Sequence, residues 1–499
     1  MKISTLCKEF TYTLIGPEDP TITHVTHHTD DVREGSLFCA VVGARHDGHD
    51  FIASAYEAGA RTFVCQKEPA HIYDDATYII VERVYDVMGY IASAWYGYPS
   101  HNLTMIGVTG TNGKTTVATL MYQLLMTAGY KTGLISTAGN KILNQDLPAT
   151  HTTPDPFSLQ KLLRDMVDTG CTHVCMEVSS HALDQGRING ISFTSAAFTN
   201  ITHDHIDYHG SFENYLTAKR KLFMHLDPSA HAIINFDDEN AEVIGRHSTG
   251  IVHYFGLHHP EQDEDRDISH YDAHGHILAH TFKGLVLSIN GTEVTTQMMG
   301  AFNAYNILTV YTIARTLDID HDEICAIIPR LEPPQGRFQA IADKGRLGII
   351  DYAHTPDALE NVLSTILEMK GDNARIITVI GCGGDRDKKK RGPMASIAIT
   401  HSDRTIFTSD NPRSEDPHVI IDEMIDGIAD LGAHPHSYMK VVDRREAIMR
   451  ALQMSKVGDI VLIAGKGHET YQEIQGVRHP FSDKEVAQEI LEHIEEFDE

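Results

Sequence analysis

A chain of 499 residues exceeds one ordinary domain and predicts about three, while 41% hydrophobic and 22% charged residues exclude a disordered, collagen-like or coiled-coil protein. A formal charge of -28 opposes a phosphate backbone, so nucleic acid is not an expected partner and any anionic substrate must meet a local basic patch. The opening MKISTLCKEFTYTL lacks a signal-peptide core, no segment approaches the ~18 apolar residues of a membrane span, and seven cysteines form no disulfide framework; the expectation is a cytoplasmic protein with reduced thiols and no membrane partner.

Residues 1–100 predict a small α/β domain, with a strand over Gly35–Val42 and a helix over Phe51–Ala60, ending near Trp95 and the turn of Tyr98, Pro99 and Ser100. Residues 101–332 predict a central domain. LTMIGV, from Leu103 to Val108, reads as a buried strand, and Val117, Leu120, Met121, Leu124, Leu125 and Ala128 then recur at helical spacing up to the stop at Gly129. Strand-like runs over His173–Val178 and Ile191–Phe198, separated by polar helical segments, predict a mostly parallel sheet with crossover helices. The alternation between Leu257 and Met299 predicts antiparallel strands appended to it; His258, His259, His270, His274, His276 and His280 match no zinc spacing and are expected in a solvated loop. Pro333 to Gly336 reads as a linker. Over 333–499, LGIIDY, ARIITVIG, DRTIFTSD, YMKVVD and GDIVLIAG, each followed by a helical stretch, predict a Rossmann-like doubly wound sheet. The fold class is therefore α/β in three domains.

Gly107 to Thr115 (GVTGTNGKT) lies between the buried strand and the amphipathic helix, as a phosphate loop requires. Its glycines let N–H groups converge on phosphate oxygens, Lys114 adds a cation, and the Thr115 hydroxyl can hold magnesium. The general motif wants glycine at Val108, and the chain has it one residue earlier. Such a loop specifies ATP or GTP, and leaves a ligase, a kinase and a non-enzymatic nucleotide switch open. GTNGKTT from Gly110 resembles the signature of the Mur ligase superfamily, which also holds folylpolyglutamate synthases and cyanophycin synthetases.

Two further features carry chemistry. In Ser211–Leu226 the apolar stripe Phe212, Tyr215, Leu216, Leu222, Phe223 and Leu226 contains Lys219, which either snorkels to water or sits desolvated, ready to form a carbamate with carbon dioxide. YLTAKRKLF around it resembles the Mur ligase segment whose lysine is carbamylated (N6-carboxylysine). Glu177 ends an apolar run facing the phosphate loop, and His205 follows the next strand in NITHDHID.

HTTP from His151, EVSSH from Glu177, DHIDYHG from Asp204, GRFQ from Gly336, DYAHTPDAL from Asp351, GGDRD from Gly383, DNPR from Asp410 and GKGHE from Gly465 resemble, in order, the motifs of UDP-N-acetylmuramoyl-tripeptide synthetases. The resemblance spans about residues 22 to 480. It implies ATP-dependent addition of a diamino acid to a UDP-N-acetylmuramoyl-dipeptide through an acyl phosphate in peptidoglycan synthesis, with ATP and two magnesium ions, by an enzyme taken as a monomer. It implies catalytic roles for Lys114, Glu177, His205 and Lys219, and magnesium ligands in Thr115, Glu177, His205 and the Lys219 carbamate. ATP would be held by Gly110, Thr111, Asn112, Gly113, Lys114, Thr115, Thr116, Asn303, Arg337, Asp351 and His354. The dipeptide would be held by Thr29, Thr152, Thr153, Ser179, Gln185 and Arg187, and the amino acid by Arg386, Asp410, Asn411, Arg413, Gly465 and Glu469. DNPR, with Arg413 placed to receive a carboxylate, resembles the diaminopimelate-adding kind; L-lysine is the alternative. One departure stands: where the family has Asp-Ser-Arg in its uridine-binding turn, this chain has His28, Thr29 and Asp30, keeping a hydroxyl but not the arginine.

Overall fold

The computed structural model describes residues 1–43, 46–148, 152–258, 270–429 and 437–493. Three large α/β sheets follow one another along the chain. The first has five strands in the order Thr13–Ile15, Thr77–Ile80, Thr62–Cys65, Ser36–Cys39 and His24–Thr26, all parallel except the first. Ser36–Cys39 and Thr62–Cys65 are buried throughout, as continuous runs in a parallel sheet covered on both faces must be. The helix expected over Phe51–Ala60 occupies Ile52–Glu57, behind a 3-10 turn capped by the Asp47 side chain.

The central sheet has eleven strands. Its parallel middle runs Ala273–Thr281, Ile251–Leu257, His231–Asn235, Ser195–Phe198, Thr104–Thr109, His173–Glu177 and Thr132–Ile135, with antiparallel hairpins at both edges. Thr104–Thr109 therefore lies between the strands that end at Phe198 and Glu177. A loop leaving its carboxyl end is flanked by whatever follows those neighbours, the usual placing of a ligand in an open α/β sheet. The strand expected from Ile191 begins only at Ser195. The preceding residues are drawn toward the N-terminal unit, where Ser93 Oγ donates to Gly190 O at 2.9 Å and Ser192 N to Ser100 Oγ at 3.2 Å.

The histidine-rich stretch needs correction. His274, His276 and His280 lie on the strand Ala273–Thr281, not in a loop, and His280 Nε2 accepts from Gly300 N at 3.0 Å. His259 lies outside the described residues. Among the described residues no group of three or more His, Cys, Asp or Glu is placed to hold a metal ion, and no helix is long and apolar enough to cross a membrane.

The third sheet runs Gln339–Asp343, Arg346–Asp351, Ile460–Ala464, Ile376–Ile380, Arg404–Phe407 and Tyr438–Lys440, with only the first strand antiparallel. Four of its strands lead to a helix, but Ile460–Ala464 leads to a hairpin, Tyr471–Ile474 with Val477–Pro480, before the helix Asp483–Glu492. The Pro333–Gly336 segment is not a free tether. Gly336 has φ 67°, and a Cβ there would lie 2.1 Å from His468 N, so the turn requires glycine.

Candidate active site

The phosphate loop is shaped by backbone freedom and held by its neighbours. Gly113 has φ 87°, and a Cβ on Gly110 would lie 1.9 Å from Thr199 Oγ1. Thr111 N donates to Asn200 O at 2.8 Å, Asn112 N to Asn200 Oδ1 at 2.9 Å, and Thr199 Oγ1 to Asn112 O at 2.6 Å, tying the loop to the segment after Phe198. Lys114 curls over the loop and donates to Gly110 O at 2.9 Å and Thr111 O at 2.8 Å. Burial lowers its pKa against the pull of Glu177 and Asp204. Thr115 and Thr116 are buried at the start of the helix Lys114–Thr127.

Lys219 lies in the helix Phe212–Met224 and is 1% exposed, which removes the snorkelling alternative. Its Nζ donates to Gly110 O at 2.6 Å and stands 4.5 Å from the centre of the Tyr215 ring, whose hydroxyl shares a 3.0 Å hydrogen bond with Thr111 Oγ1. Burial drives the amine pKa well below the lysine value, and Lys114 adds repulsion. A buried and a half-buried amine thus converge on one carbonyl.

Glu177 is 1% exposed. Its Oε1 accepts from Thr137 N at 2.7 Å and its Oε2 from Thr137 Oγ1 at 3.3 Å. Thr137 Oγ1 also bonds Thr152 Oγ1 at 3.0 Å, while Thr153 Oγ1 donates to Glu177 O at 2.8 Å and accepts from Ser179 N at 3.2 Å. Arg187 donates to Thr153 O at 2.7 Å and twice to Gln185 Oε1, at 2.9 and 2.6 Å. Thr152, Thr153, Ser179, Gln185 and Arg187 are therefore one hydrogen-bonded cluster beside Glu177. Thr29 begins a separate 3-10 turn of the N-terminal sheet, and that turn reaches the cluster through His27, whose ring stacks on Phe157 at 5.7 Å and feels Asp155 and Arg187.

His205 has φ 52° and takes its backbone bond from the preceding acid, with His205 N donating to Asp204 Oδ1 at 2.8 Å. Desolvation at the cleft and the cations of Lys114 and Lys219 outweigh Asp204 and push its pKa down to about 4, leaving a neutral ring near pH 7.

The C-terminal unit supplies a further set. Arg337 Nη2 donates to Thr115 Oγ1 at 3.1 Å while its guanidinium lies 4.6 Å from the Tyr352 ring centre. Asp351 accepts from Phe338 N and Ala353 N, both at 2.7 Å, and burial raises its pKa. Burial pushes His354 down to about 4; its Nδ1 is 2.9 Å from Tyr352 O. Asn303, 2% exposed, meets the loop only indirectly, through Asn306, whose Oδ1 is the atom a Cβ on Gly113 would strike.

The residues expected to hold the amino acid gather at the carboxyl edge of the third sheet. Asn411 donates to Glu469 Oε2 at 2.8 Å and accepts from Lys466 Nζ at 3.1 Å. Asp410 Oδ1 accepts from Asn411 N at 2.6 Å, and Gly465 N donates to Asp351 O at 3.0 Å, joining this cluster to the previous one. Arg413 has φ 51° and donates from Nη1 to Gly384 O at 2.8 Å; Arg386 is exposed on the adjoining turn.

Sequence reasoning missed four participants. Asp357 accepts from phosphate-loop Asn112 Nδ2 at 2.6 Å and from Thr202 Oγ1 at 3.0 Å, bridging two units. Asp204 faces Lys114, Lys219, His205 and His354. Tyr215 supports Lys219, and Lys466, fully buried, supports Glu469 at 2.8 Å. Asp204, Asp357 and Lys466 all fall inside quoted motifs, which was the available signal.

Residues 108–314 match the Mur ligase middle domain, 336–467 the Mur ligase glutamate ligase domain, and 21–96 the catalytic domain of the Mur ligase family. A protein of Phocaeicola vulgatus named UDP-N-acetylmuramoyl-L-alanyl-D-glutamate--2,6-diaminopimelate ligase is 44% identical over 493 residues, 98% of this chain and 99% of its own. One of the same name from Cytophaga hutchinsonii is 44% identical over 479 residues, 96% of each chain. A solved structure with that name superposes with a TM-score of 0.66 at 32% identity over 95% of both chains. The chain belongs to the Mur ligase family and is an ATP-dependent, amide-forming ligase.

Proposed function

We propose that this ligase adds meso-diaminopimelate to UDP-N-acetylmuramoyl-L-alanyl-D-glutamate in the cytoplasm, as a monomer, with residues 1–100 holding the uridine end, 101–332 ATP, and 333–499 the amino acid. One observation carries the reading. The Glu177 carboxylate attracts Lys114 of the phosphate loop and accepts from Thr137, while its backbone carbonyl accepts from Thr153 of the dipeptide cluster, so a carboxylate acceptor and a phosphoryl donor would meet across it.

The substrate carboxylate attacks the γ-phosphorus of ATP, and the bond to ADP breaks. The amine of the incoming amino acid then attacks the acyl-phosphate carbonyl, loses a proton, and phosphate leaves. Lys114, Arg337 and the loop N–H groups neutralise charge building between two anions. Thr152, Thr153, Ser179, Gln185 and Arg187 orient the dipeptide, with Thr29 at the uridine turn. Asn303, Asp351 and His354 position the nucleotide, and Arg386, Asp410, Asn411, Arg413, Gly465 and Glu469 aim the amine.

The residues fit magnesium. The Glu177 carboxylate with lone pairs remaining, the Thr115 hydroxyl, and a desolvated Lys219 amine able to become an anionic carbamate would offer hard oxygen donors, with a neutral His205 adding one ring nitrogen. Two ions held there, when bound, supply positive charge to the phosphate oxygens. Phosphate release that requires both the UDP-muramoyl-dipeptide and diaminopimelate, with the tripeptide product seen by mass spectrometry, is the expected result. Release without either, or faster product formation with L-lysine, would overturn the reading.

A further inference from the structure

Beside the residues expected to hold the dipeptide stands an acid that this mechanism does not use. Arg187 Nε and Nη2 both donate to Gln185 Oε1, Gln185 Nε2 donates to Tyr208 Oη at 3.0 Å, and Tyr208 Oη donates to Asp184 Oδ2 at 2.9 Å. The direction of this chain is set from its far end. An ionised carboxylate only accepts, so the tyrosine hydroxyl commits its one proton to Asp184 and can only accept from Gln185. The Gln185 amide therefore turns its nitrogen to Tyr208 and its oxygen to Arg187. Arg187 is aimed without being neutralised, because the charge that organises it lies beyond Gln185 and Tyr208.

Asp184 is itself held by separate elements. It ends the helix Ser180–Asp184, and Arg83, at the start of the N-terminal helix Val84–Trp95, donates from Nη1 to its backbone oxygen at 2.9 Å with Nη2 3.6 Å from Oδ2. Lys221 Nζ, on the helix that carries Lys219, is 3.5 Å from Oδ1. Burial raises the Asp184 pKa, but the Tyr208 bond, Lys221 and Arg83 outweigh it and hold the carboxyl below the usual range, so it is ionised near pH 7. The segment that follows lies against the same N-terminal helix: a Cβ on Gly186 would stand 2.7 Å from Tyr85 O, and Asn189 Nδ2 donates to Asp86 O at 2.8 Å. Gln185 and Arg187 flank Gly186, so their backbone is fixed and only the direction of their side chains is left to set.

Resting on the assignment of Gln185 and Arg187 to the dipeptide, we propose that Asp184 is a positioning residue for that substrate: through the Tyr208 hydroxyl it fixes which way the Gln185 amide faces, and with it the Arg187 guanidinium. The competing role, in which Asp184 only offsets Arg83 and Lys221, needs neither the hydroxyl nor its direction.

The test is steady-state ligation by the full chain with each substrate varied in turn. An amide in place of the carboxylate can donate as well as accept and frees the hydroxyl to turn. Asp184→Asn should therefore raise KM for the UDP-muramoyl-dipeptide ~10-fold or more, the scale of one charged hydrogen bond, with kcat and the KM values for ATP and diaminopimelate within about threefold. Tyr208→Phe cuts the same chain while keeping the ring, whose centre is 4.1 Å from that of His181, and should reproduce the effect. Asp184→Asn and Tyr208→Phe together should raise KM no further than either alone, whereas independent structural losses would add. An unchanged KM for the dipeptide in either single variant, or effects that add in the double variant, overturns the inference. Gln185→Ala separates it from the reading beneath. A KM unmoved by Gln185→Ala overturns the dipeptide assignment as well; one raised by Gln185→Ala but not by Asp184→Asn or Tyr208→Phe overturns only the role of Asp184. Should Asp184→Asn fail to fold, Tyr208→Phe decides, since a side chain already 41% exposed keeps its packing when only the hydroxyl is removed.

Discussion

Lys219 sets activity against stability, and replacing it tests both. Its amine is withdrawn from water with Gly110 O at 2.6 Å and the Tyr215 ring at 4.5 Å as partners. Burial depresses its pKa well below the 10.5 of a free lysine. Between the two values the unfolded chain binds more protons than the folded one, so stability rises with pH across that window. Below it the folded state bears the full cost, about 1.4 kcal/mol for each unit of depression. Lys219→Met keeps the stem volume and removes that cost, while losing a charged hydrogen bond of about 1.5–3 kcal/mol and a cation–ring contact of about 2 kcal/mol. Replacing a buried charge by a packed apolar side chain of similar volume nets roughly 1–4 kcal/mol in favour of the variant where the balance is positive. The expected outcome at pH 7 is a melting temperature raised by roughly 2–6 °C, the gain shrinking toward pH 10, and a ligation rate at least ~100-fold lower. Scanning calorimetry across pH on the full chain, paired with phosphate-release kinetics, reads both. Lys219→Ala should be nearly inactive and partly rescued by a small carboxylic acid in solution, as a carbamate role requires. A melting temperature lowered equally at pH 7 and pH 10 would refute the desolvation argument, and full turnover without additive would refute the catalytic one.

Lys114→Ala and Glu177→Ala should each lower turnover by ~100-fold or more, because both face the charge that develops in phosphoryl transfer; an effect confined to amino-acid affinity refutes the assignment. Arg413→Ala should cost about 2 kcal/mol or more of transition-state binding for diaminopimelate, measured as kcat/KM, and equal or better use of L-lysine by the unmodified enzyme refutes the specificity argument. Asp357→Ala removes the acceptor that ties Asn112 to the C-terminal unit and should raise KM for ATP ~10-fold, the loss of one or two buried hydrogen bonds, with KM for diaminopimelate unchanged.

What could be read from sequence was what depends on neighbours in the chain. LTMIGV, HVCMEV and GDIVLIAG are strands because a doubly covered parallel sheet needs continuous apolar runs, and Thr104–Thr109, His173–Glu177 and Ile460–Ala464 follow. The glycines and lysine of GTNGKTT dictate a loop at a strand end wherever the domain sits. What was hidden depends on partners far away in sequence. Ile191 leaves the sheet because serines about a hundred residues upstream hold the segment, and periodicity carries no trace of them. Asp357 meets Asn112 across 245 positions. The hairpin after GKGHE alternates too briefly to stand apart from a loop. Lys219 was visible as an anomaly in an apolar stripe, but whether its amine reached water turned on the position of Gly110, which belongs to another element.

The pairing of cations separates those that build the fold from those that serve the site. Arg444 and Arg391 are as buried as Lys219, yet each is matched by carboxylates: Arg444 to both oxygens of Asp483 at 2.8 Å, Arg391 to Glu415 at 2.9 Å. Their charge is cancelled where they stand. Lys114, Arg187 and Arg337 instead hydrogen-bond backbone carbonyls, an amide oxygen or a hydroxyl. Neutral acceptors hold these groups in place without neutralising them, so their positive charge remains for an anion that arrives later. In a chain of formal charge -28 this is how phosphates and a carboxylate can be admitted at all. The amino-acid cluster breaks the pattern, since Lys466 pairs with Glu469 at 2.8 Å and Arg413 lies 3.8 Å from Glu473. Mixed charge is what a zwitterionic ligand requires and what a nucleotide does not. The two ends of the cleft therefore differ in kind: one is prepared for anions, and the other for a molecule that carries both signs.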